Sequence, residues 1–186
     1  EQARKSYEEV LEMAPEGSRA RPVIMNNLAY LLAEDLNQPA AGLKYAEQAN
    51  GLIANQTNVL DTLGWCLVLT GDFDRGVSMI RTAAYMAGSL ELSQMAAIRY
   101  HASVGLLKRA QLLQTRNQAT EADQDLTEAK LACRRSHQLL MKAKESDARA
   151  GRQPDDAGLL PKITAVAKQL DLKLETAVPA ASAPAK

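Results

Sequence analysis

Glycine occurs twice inside one strongly helical stretch, where helix propensity alone would disfavour it. Between residues 59 and 83 the apolar side chains recur at helical spacing, yet Gly64 lies within one helical pattern and Gly76 within the next. The Gly71-Asp72 pair between them indicates a turn. A glycine inside a helix costs about 1 kcal/mol relative to alanine, so close packing must offset that cost. We therefore expect two helices to cross at Gly64 and Gly76, where a larger side chain would push them apart.

The same apolar spacing continues along most of the chain and predicts an all-α fold. Alternating strand patterns do not persist. Breaks at Pro, Gly and Asn divide the pattern into helices at residues 2–14, 22–35, 39–52, 57–70, 73–87, 91–113, 118–146 and 160–172. Pro22 and Pro39 fall in first turns, which tolerate a missing N–H. Thr57 and Asp72 are predicted as N-caps, and Gly71 as a helix terminator.

The predicted helices form pairs that repeat. The motif Leu60-x2-Leu63-Gly64-x2-Leu67, followed by Gly76-x3-Ile80, has an upstream counterpart in Met25-x2-Leu28-Ala29-x2-Leu32 and Gly42-x3-Ala46. Gly42 and Gly76 are 34 residues apart. This pattern resembles the tetratricopeptide (TPR) family, which runs W-x2-L-G-x2-Y, then A-x3-F and P, over about 34 residues. The resemblance implies an α-solenoid of helix pairs.

The resemblance covers about residues 1–132 and is strongest over 22–87. The opening Ala3-x3-Tyr7, with Pro15 after it, is similar to the second helix of a repeat, so we expect the chain to be a fragment. A third, degenerate unit combines Arg99-x2-Ala102-Ser103-x2-Leu106 with Ala122-x3-Leu126 and carries an insertion between its helices. The residue that opens the motif is Met25, Leu60 or Arg99, whereas the family has Trp.

The predicted domain organisation has four parts. Residues 1–146 form the TPR-like solenoid, which ends in a long helix with one apolar stripe. Residues 147–159 are a linker, 160–173 an amphipathic capping helix, and 174–186 a disordered Ala/Pro-rich tail. A cap is expected because the last unit of a solenoid exposes an apolar face. The apolar stripe of the capping helix comprises Leu160, Ile163, Val166, Ala167 and Leu170.

Composition excludes several classes of protein. Lys+Arg and Asp+Glu are 22 each, so no overall field favours nucleic acid. No apolar run has the length of a bilayer crossing, and no direct membrane insertion is expected. The two cysteines make no disulfide framework. The N-terminus carries no secretion signal, so we expect a soluble fragment and leave open whether it is cytoplasmic or periplasmic.

No catalytic, metal or cofactor site is expected. Nucleophile-elbow, P-loop, zincin and dinucleotide motifs do not occur. Asp72-x-Asp74-x-Gly76 resembles the start of a calcium loop, but the twelfth position is Ala83 where a bidentate Glu is required. Cys133 and His137 could lie on one helix face, yet two ligands are not a site. The basic residues of 118–146 are a solvated face or a contact for an acidic partner segment.

The TPR resemblance implies that the first helix of each pair lines a concave groove for a peptide or a helix. In that register the groove residues are Asn26, Tyr30, Ala33, Asn58, Asp61, Trp65, Val68, Tyr100, Val104 and Lys108. Tyr30 and Trp65 occupy equivalent places and are candidate binding anchors. The alternative is that a neighbouring helix or the C-terminal segment covers Trp65.

One TPR subclass binds the carboxylate tails of heat-shock chaperones through Lys, Asn, Asn, Lys and Arg. The matching residues here are Asn26, Tyr30, Thr62, Ala97 and His101. No cation stands in the required places, so we do not expect that ligand.

The sequence thus predicts a non-catalytic scaffold or adaptor that binds another protein, with self-association as a further possibility. The alternative is a structural tether or oligomerisation segment of a larger assembly, and an enzyme with a helical lid is a third class. An empty aromatic groove would favour the scaffold. A groove filled by residues 160–172, with the stripe of 118–146 exposed, would favour the tether.

Overall fold

The computed structural model describes residues 1–153 and 158–174, which fold into eight α-helices and contain no β-strand. The helices are α1 (Gln2–Met13), α2 (Ala20–Tyr30), α3 (Pro39–Leu52), α4 (Thr57–Thr70), α5 (Phe73–Met86), α6 (Leu92–Thr115), α7 (Ala119–Arg149) and α8 (Leu159–Gln169). A π-helical turn (Leu31–Asp35) continues α2, and a 3-10 turn (Ala87–Ser89) follows α5. The all-α prediction is confirmed, and each predicted helix is present within one turn of its expected ends.

Consecutive helices pack in pairs. α2 packs on α3, α4 on α5, and α6 on α7, while α1 packs on α2. Each pair also contacts the next, because α3 touches α4 and α5 touches α6. The first helices of the pairs contact one another as well, α2 with α4 and α4 with α6. As a result α2, α4 and α6 lie side by side and present one common surface.

Glycines lie where the helices of a pair cross. A Cβ on Gly64 would lie 2.6 Å from Ile80 Cγ1 and 2.9 Å from the carbonyl oxygen of Gly76. The upstream pair repeats the arrangement, since a Cβ on Gly42 would lie 2.7 Å from the carbonyl oxygen of Ala29. Real Cβ atoms do not approach other atoms so closely, and packed interiors do not yield space easily. The predicted role of Gly64 and Gly76 at a helix crossing is confirmed.

The turn between α4 and α5 also follows the prediction. Gly71 has a φ of 92°, and the amide of Asp72 donates to the carbonyl oxygen of Leu67 at 2.9 Å, as in a Schellman motif. The Asp72 carboxylate caps α5, because its Oδ1 atom accepts a hydrogen bond from the backbone N–H three residues later, with an N–O distance of 3.3 Å. The predicted Thr57 cap is wrong: α4 includes Thr57, its N-cap is Gln56, and no side chain caps that end.

The C-terminal helix packs on the last pair. α8 contacts α6 and α7, and the thiol of Cys133 in α7 donates to the carbonyl oxygen of Ile163 at 3.7 Å. Most of the predicted stripe of α8 is buried, with Leu160 only partly so. In the stripe of α7, Ala122, Ala129, Cys133 and Leu140 are buried. The stripe of 118–146 is therefore covered and not free for another chain.

The segment boundaries differ in part from those predicted. α7 continues to Arg149 and so extends into the predicted linker, of which residues 154–157 lie outside the described residues. α8 ends at Gln169 and a turn with Asp171 at a φ of 48° follows, short of the expected end at 173. The predicted disordered tail lies outside the described residues from 175 onward. None of the helices in the described part of the chain combines the length and the apolar character that a bilayer crossing requires.

Candidate functional site

A groove runs across the surface formed by α2, α4 and α6, between α1 on one side and α8 on the other. It contains two adjoining pockets. The larger, which we name the open pocket, has a volume of about 490 Å³ and is lined from α1, α2, α4 and α6 and the turn after α2. The smaller, the covered pocket, has a volume of about 220 Å³ and lies under the N-terminal end of α8. Tyr30, Gln94, Ala97 and His101 line both pockets.

The open pocket is lined mainly by uncharged amides, carboxylates and aromatic rings. Its polar and aromatic residues are Tyr7, Asn26, Asn27, Tyr30, Asp35, Asn58, Asp61, Thr62, Gln94 and His101. Neither lysine nor arginine is among the described residues that line it. The pocket therefore offers hydrogen-bond acceptors and negative charge.

A buried aspartate–histidine pair forms the floor of the open pocket. His101 Nδ1 lies 2.9 and 3.0 Å from the two carboxylate oxygens of Asp61. Asp61 is 7% exposed and His101 1%. Because an ionised carboxylate can only accept, His101 donates through Nδ1–H. This is the one side-chain hydrogen bond of Asp61 among the described residues, although a carboxylate can accept about four.

Asn26 adds a second acceptor that the protein leaves unpaired. Its Oδ1 atom is buried and has no hydrogen-bond partner among the described residues. Asn26 lies on α2 and lines the open pocket. A buried polar atom without a partner costs roughly 1–3 kcal/mol, and such atoms are uncommon in native proteins. The wall of the open pocket thus contains a buried acceptor without a partner among the described residues.

Aromatic rings separate the two pockets. Trp65 stacks on His101 with ring centroids 4.4 Å apart, and it contacts Tyr100 at 5.9 Å. Tyr30 lies on the other side of His101 at 6.2 Å. Trp65 itself is only 4% exposed, so it is part of the wall beneath the groove and not of its free surface.

Glu34 joins this aromatic cluster to α8. Trp65 Nε1 donates to Glu34 Oε2 at 2.7 Å, and the ammonium of Lys162 in α8 donates to Glu34 Oε1. Burial would raise the pKa of Glu34, but the hydrogen bonds from Lys162 and Trp65 outweigh it and lower that pKa. Burial, with a smaller contribution from Glu34, raises the pKa of Tyr100 to about 12. The covered pocket therefore contains a buried carboxylate whose cation comes from α8.

The groove residues predicted from the TPR register fall into three groups. Asn26, Tyr30, Asn58 and Asp61 surround the open pocket, and Tyr100 lines the covered pocket with Tyr30. Trp65 is buried against Tyr100 and His101 of α6, which agrees with the alternative that a neighbouring helix or the C-terminal segment covers it. The remaining members line neither pocket: Ala33, Val68 and Val104 are buried in the core, and Lys108 is exposed.

Sequence reasoning missed several residues of the groove. Asp35 and Glu34 lie in the π-helical turn after α2, and such a turn shifts the helical register. Regular spacing therefore could not place them. Tyr7 comes from the incomplete first unit, and Lys162 lies outside the predicted apolar stripe of the capping helix. No pattern in the sequence of α2 predicts this deviation from regular helical spacing.

The groove presents carboxylates, amides and one imidazole. Among the described residues His101 has one side-chain hydrogen-bond partner, Asp61. Burial raises the pKa of Cys66 to about 12 and that of Cys133 to about 11, so both are protonated near neutral pH. Within the described residues no group of three or more His, Cys, Asp or Glu could hold a metal ion.

No family model, no curated protein and no solved structure matches the chain. The geometry of the groove and the pattern of the repeats are therefore the observations from which a function can be argued.

Proposed function

We propose that the protein is a TPR-like α-solenoid that works as a non-catalytic scaffold and binds a segment of a partner protein in the groove. The repeat is supported by the crossings at Gly64 and Gly76 and at Gly42 and Ala29, where the glycines Gly42 and Gly76 are 34 residues apart. The register is supported by the five positions matched to the chaperone-tail clamp, which all line the open pocket. They are Asn26, Tyr30, Thr62, Ala97 and His101.

The open pocket carries this proposal. Four helices and a turn contribute to it, its volume of about 490 Å³ falls within the range of ordinary ligand sites, and amide side chains line its mouth. Asn58 is exposed and Asn26 half-buried, so both can reach a bound chain. Amides pair well with the N–H and C=O groups of an extended peptide because each amide both donates and accepts. A strand-like segment of a partner is the ligand that suits this surface.

A structural tether remains the second candidate, and the position of α8 favours it. Lys162 of α8 pairs with Glu34, which also accepts from Trp65, so the chain's own C-terminal helix occupies part of the groove. Against the tether, the α7 stripe is buried and offers no surface to another chain. The two candidates predict different behaviour of the open pocket, which is required for the scaffold and irrelevant to the tether.

Blocking the open pocket distinguishes the two candidates. Asn58→Trp would fill the mouth of the pocket without a change of charge, and Gln114→Trp adds the same ring at an exposed position outside both pockets. Proteins captured from the native lysate would be cross-linked and identified by mass spectrometry. We expect a partner that cross-links near the pocket, is lost with Asn58→Trp and is kept with Gln114→Trp. Identical capture by both variants would contradict the scaffold.

A further inference from the structure

The open pocket combines negative charge with a lack of cations. Asp35 and Asp61 both line it, and no lysine or arginine among the described residues faces them there. His101 is the only basic group in the lining. Even with His101 protonated, one carboxylate remains uncompensated, and with a neutral imidazole both do. The lining therefore carries net negative charge in either state of His101.

The buried acceptors of the pocket have too few donors. Asp61 is 7% exposed and receives one N–H, from His101. Asn26 Oδ1 is buried and receives none from the described residues. Buried carboxylates are stable when several donors satisfy their oxygens, and charged donors satisfy them best. A ligand group rich in N–H donors and positively charged would supply what both atoms lack.

Aromatic rings line the same space. Tyr7 from α1 and Tyr30 from α2 both contribute to the wall of the open pocket. The face of a tyrosine ring attracts an ammonium or guanidinium group, and the aliphatic stem of such a side chain packs against the ring. Acidic and aromatic groups together are the surroundings in which proteins hold lysine and arginine side chains.

The adjoining pocket already contains this arrangement within the chain. Lys162 of α8 enters beside the same aromatic rings and pairs with Glu34, whose carboxylate is 10% exposed. The open pocket shares Tyr30 and His101 with it and presents Asp61 in place of Glu34. Glu34 thus has a cation from α8, whereas Asp35 and Asp61 have no lysine or arginine among the described residues that line the open pocket.

We infer that the open pocket takes a lysine or arginine side chain of an extended partner segment, with its cation against Asp61, Asp35 and Asn26 Oδ1. This inference rests on the proposed function and specifies its partner: a basic polypeptide segment, in contrast to the acidic chaperone tails. The partner need not supply a cation to Glu34, because Lys162 already pairs with that carboxylate.

The test is a selection of nonapeptides from a random phage library on the full chain. We expect the enriched peptides to share one arginine or lysine at a fixed place. In a synthetic copy, arginine is then replaced by citrulline, which keeps the shape and removes the charge, or lysine by acetyl-lysine. Loss of a charged hydrogen-bonded group should weaken binding by about ten-fold or more.

Variants of the pocket complete the test. Asp61→Asn and, since that change could disturb His101, the exposed Asp35→Asn should each reduce the difference between the charged and neutral peptides. Glu9→Gln, an exposed change on α1 outside the pocket, should leave the difference intact. Enriched peptides without a shared cation, or a cation preference that both pocket variants leave unchanged, would overturn the inference while the proposed function stands. If no peptide is enriched, the proposed function itself is contradicted.

Discussion

The two pockets of one groove differ in whether the chain completes them. In the covered pocket the carboxylate of Glu34 receives hydrogen bonds from Trp65 and Lys162, which lower its pKa. In the open pocket Asp61 receives one bond, from His101, and Asn26 Oδ1 receives none among the described residues. Both pockets use α2, the turn after it and α6, but the covered pocket also has α7 and α8, and the cation that pairs with Glu34 comes from α8.

This difference predicts that the two pockets contribute differently to the stability of the fold. α8 buries Ile163, Val166 and Leu170 against the last helix pair and brings Lys162 to Glu34. Each such aliphatic side chain contributes roughly 1.5–3 kcal/mol when fully buried. The open pocket gains no comparable contribution, because polar atoms that are buried without partners reduce stability. Substitutions in the two pockets should therefore affect stability in different ways.

The largest effect is expected at the crossing on which both pockets depend. Gly64→Leu places a side chain where even a Cβ would lie 2.6 Å from Ile80 and 2.9 Å from the backbone of Gly76. Overpacking generally lowers the free energy of unfolding by about 1–3 kcal/mol. A clash with backbone atoms, which cannot move aside easily, should cost as much as the upper end of that range or more. We expect a loss of about 3 kcal/mol or more in the free energy of unfolding, measured with denaturant.

Gly51→Leu is the matched control for that change. Gly51 also lies in a helix, α3, but nothing lies within 4 Å of a Cβ there. Leucine has a higher helix propensity than glycine, so this variant should be as stable as the parent or up to about 1 kcal/mol more stable. Equal stability of the two variants would mean that the crossing does not set the geometry of the groove.

The second effect concerns the attachment of α8. Ile163→Ala removes a side chain that is 1% exposed, a change that costs about 2–5 kcal/mol in a core. Because α8 has 11 residues, local opening limits the loss, and we expect about 2 kcal/mol. The thiol of Cys133, which donates a hydrogen bond to the backbone carbonyl oxygen of Ile163, should react faster with iodoacetamide.

Lys168→Ala, an exposed change on the same helix, serves as the control and should alter neither measurement. Cys66 is fully buried on α4 and should stay slow to react in both variants. If Ile163→Ala exposes Cys66 as readily as Cys133, α8 does not open alone, and the two pockets cannot be treated as separate parts of the groove.

These expectations also show where sequence reasoning succeeded. The crossings could be predicted from Gly42, Gly64 and Gly76, because two helices can approach each other closely where a Cβ is missing. The apolar stripe around Ile163 identified α8 for the same reason, since burial follows helical spacing. The covering of Trp65 was open to two interpretations, because spacing gives the buried face of a helix and not the neighbour that buries it.

The contacts that complete the groove could not be predicted in this way. Lys162 and Glu34 are 128 residues apart, and His101 and Asp61 are 40 apart. The first pair depends on the packing of α8 and on the π-helical turn that contains Glu34, and the second on the packing of α4 against α6. Neither is determined by residues close in sequence, so the charge of the open pocket became apparent only in the folded chain.

The third effect tests the covered pocket by pH. The pKa of Glu34 in the folded chain is lowered from its ordinary value of 4.5, so the unfolded chain binds more protons at acidic pH. The contribution of the pair is therefore fully present above that ordinary value and is lost as pH falls through the lowered folded pKa. We expect Glu34→Gln to cost about 1 kcal/mol at neutral pH and less as the solution is acidified.

Denaturant unfolding at a series of pH values from neutral to about 3 measures this difference, with Glu9→Gln on α1 as the control. A cost of Glu34→Gln that does not change with pH would show that the bond from Trp65, and not the charge of Lys162, dominates the covered pocket. The comparison of Glu34, which is paired with a lysine, and Asp61, which is not, would then lose its basis.

The smallest effect, and the one with the opposite sign, is expected in the open pocket. Asn26→Leu replaces a side chain whose Oδ1 atom is buried without a partner by an apolar side chain of similar shape. Removal of an unpaired buried acceptor should raise the free energy of unfolding by up to about 1 kcal/mol. Asn58→Leu at the exposed mouth of the same pocket is the control and should change stability by less than about 0.5 kcal/mol. Thermal melting of both variants measures the difference. If Asn26→Leu is destabilising, Oδ1 is already satisfied in solution, and the open pocket has no vacant acceptor to offer a cation. If it is stabilising and also weakens peptide binding, the chain retains an unfavourable atom at this position because a ligand needs it.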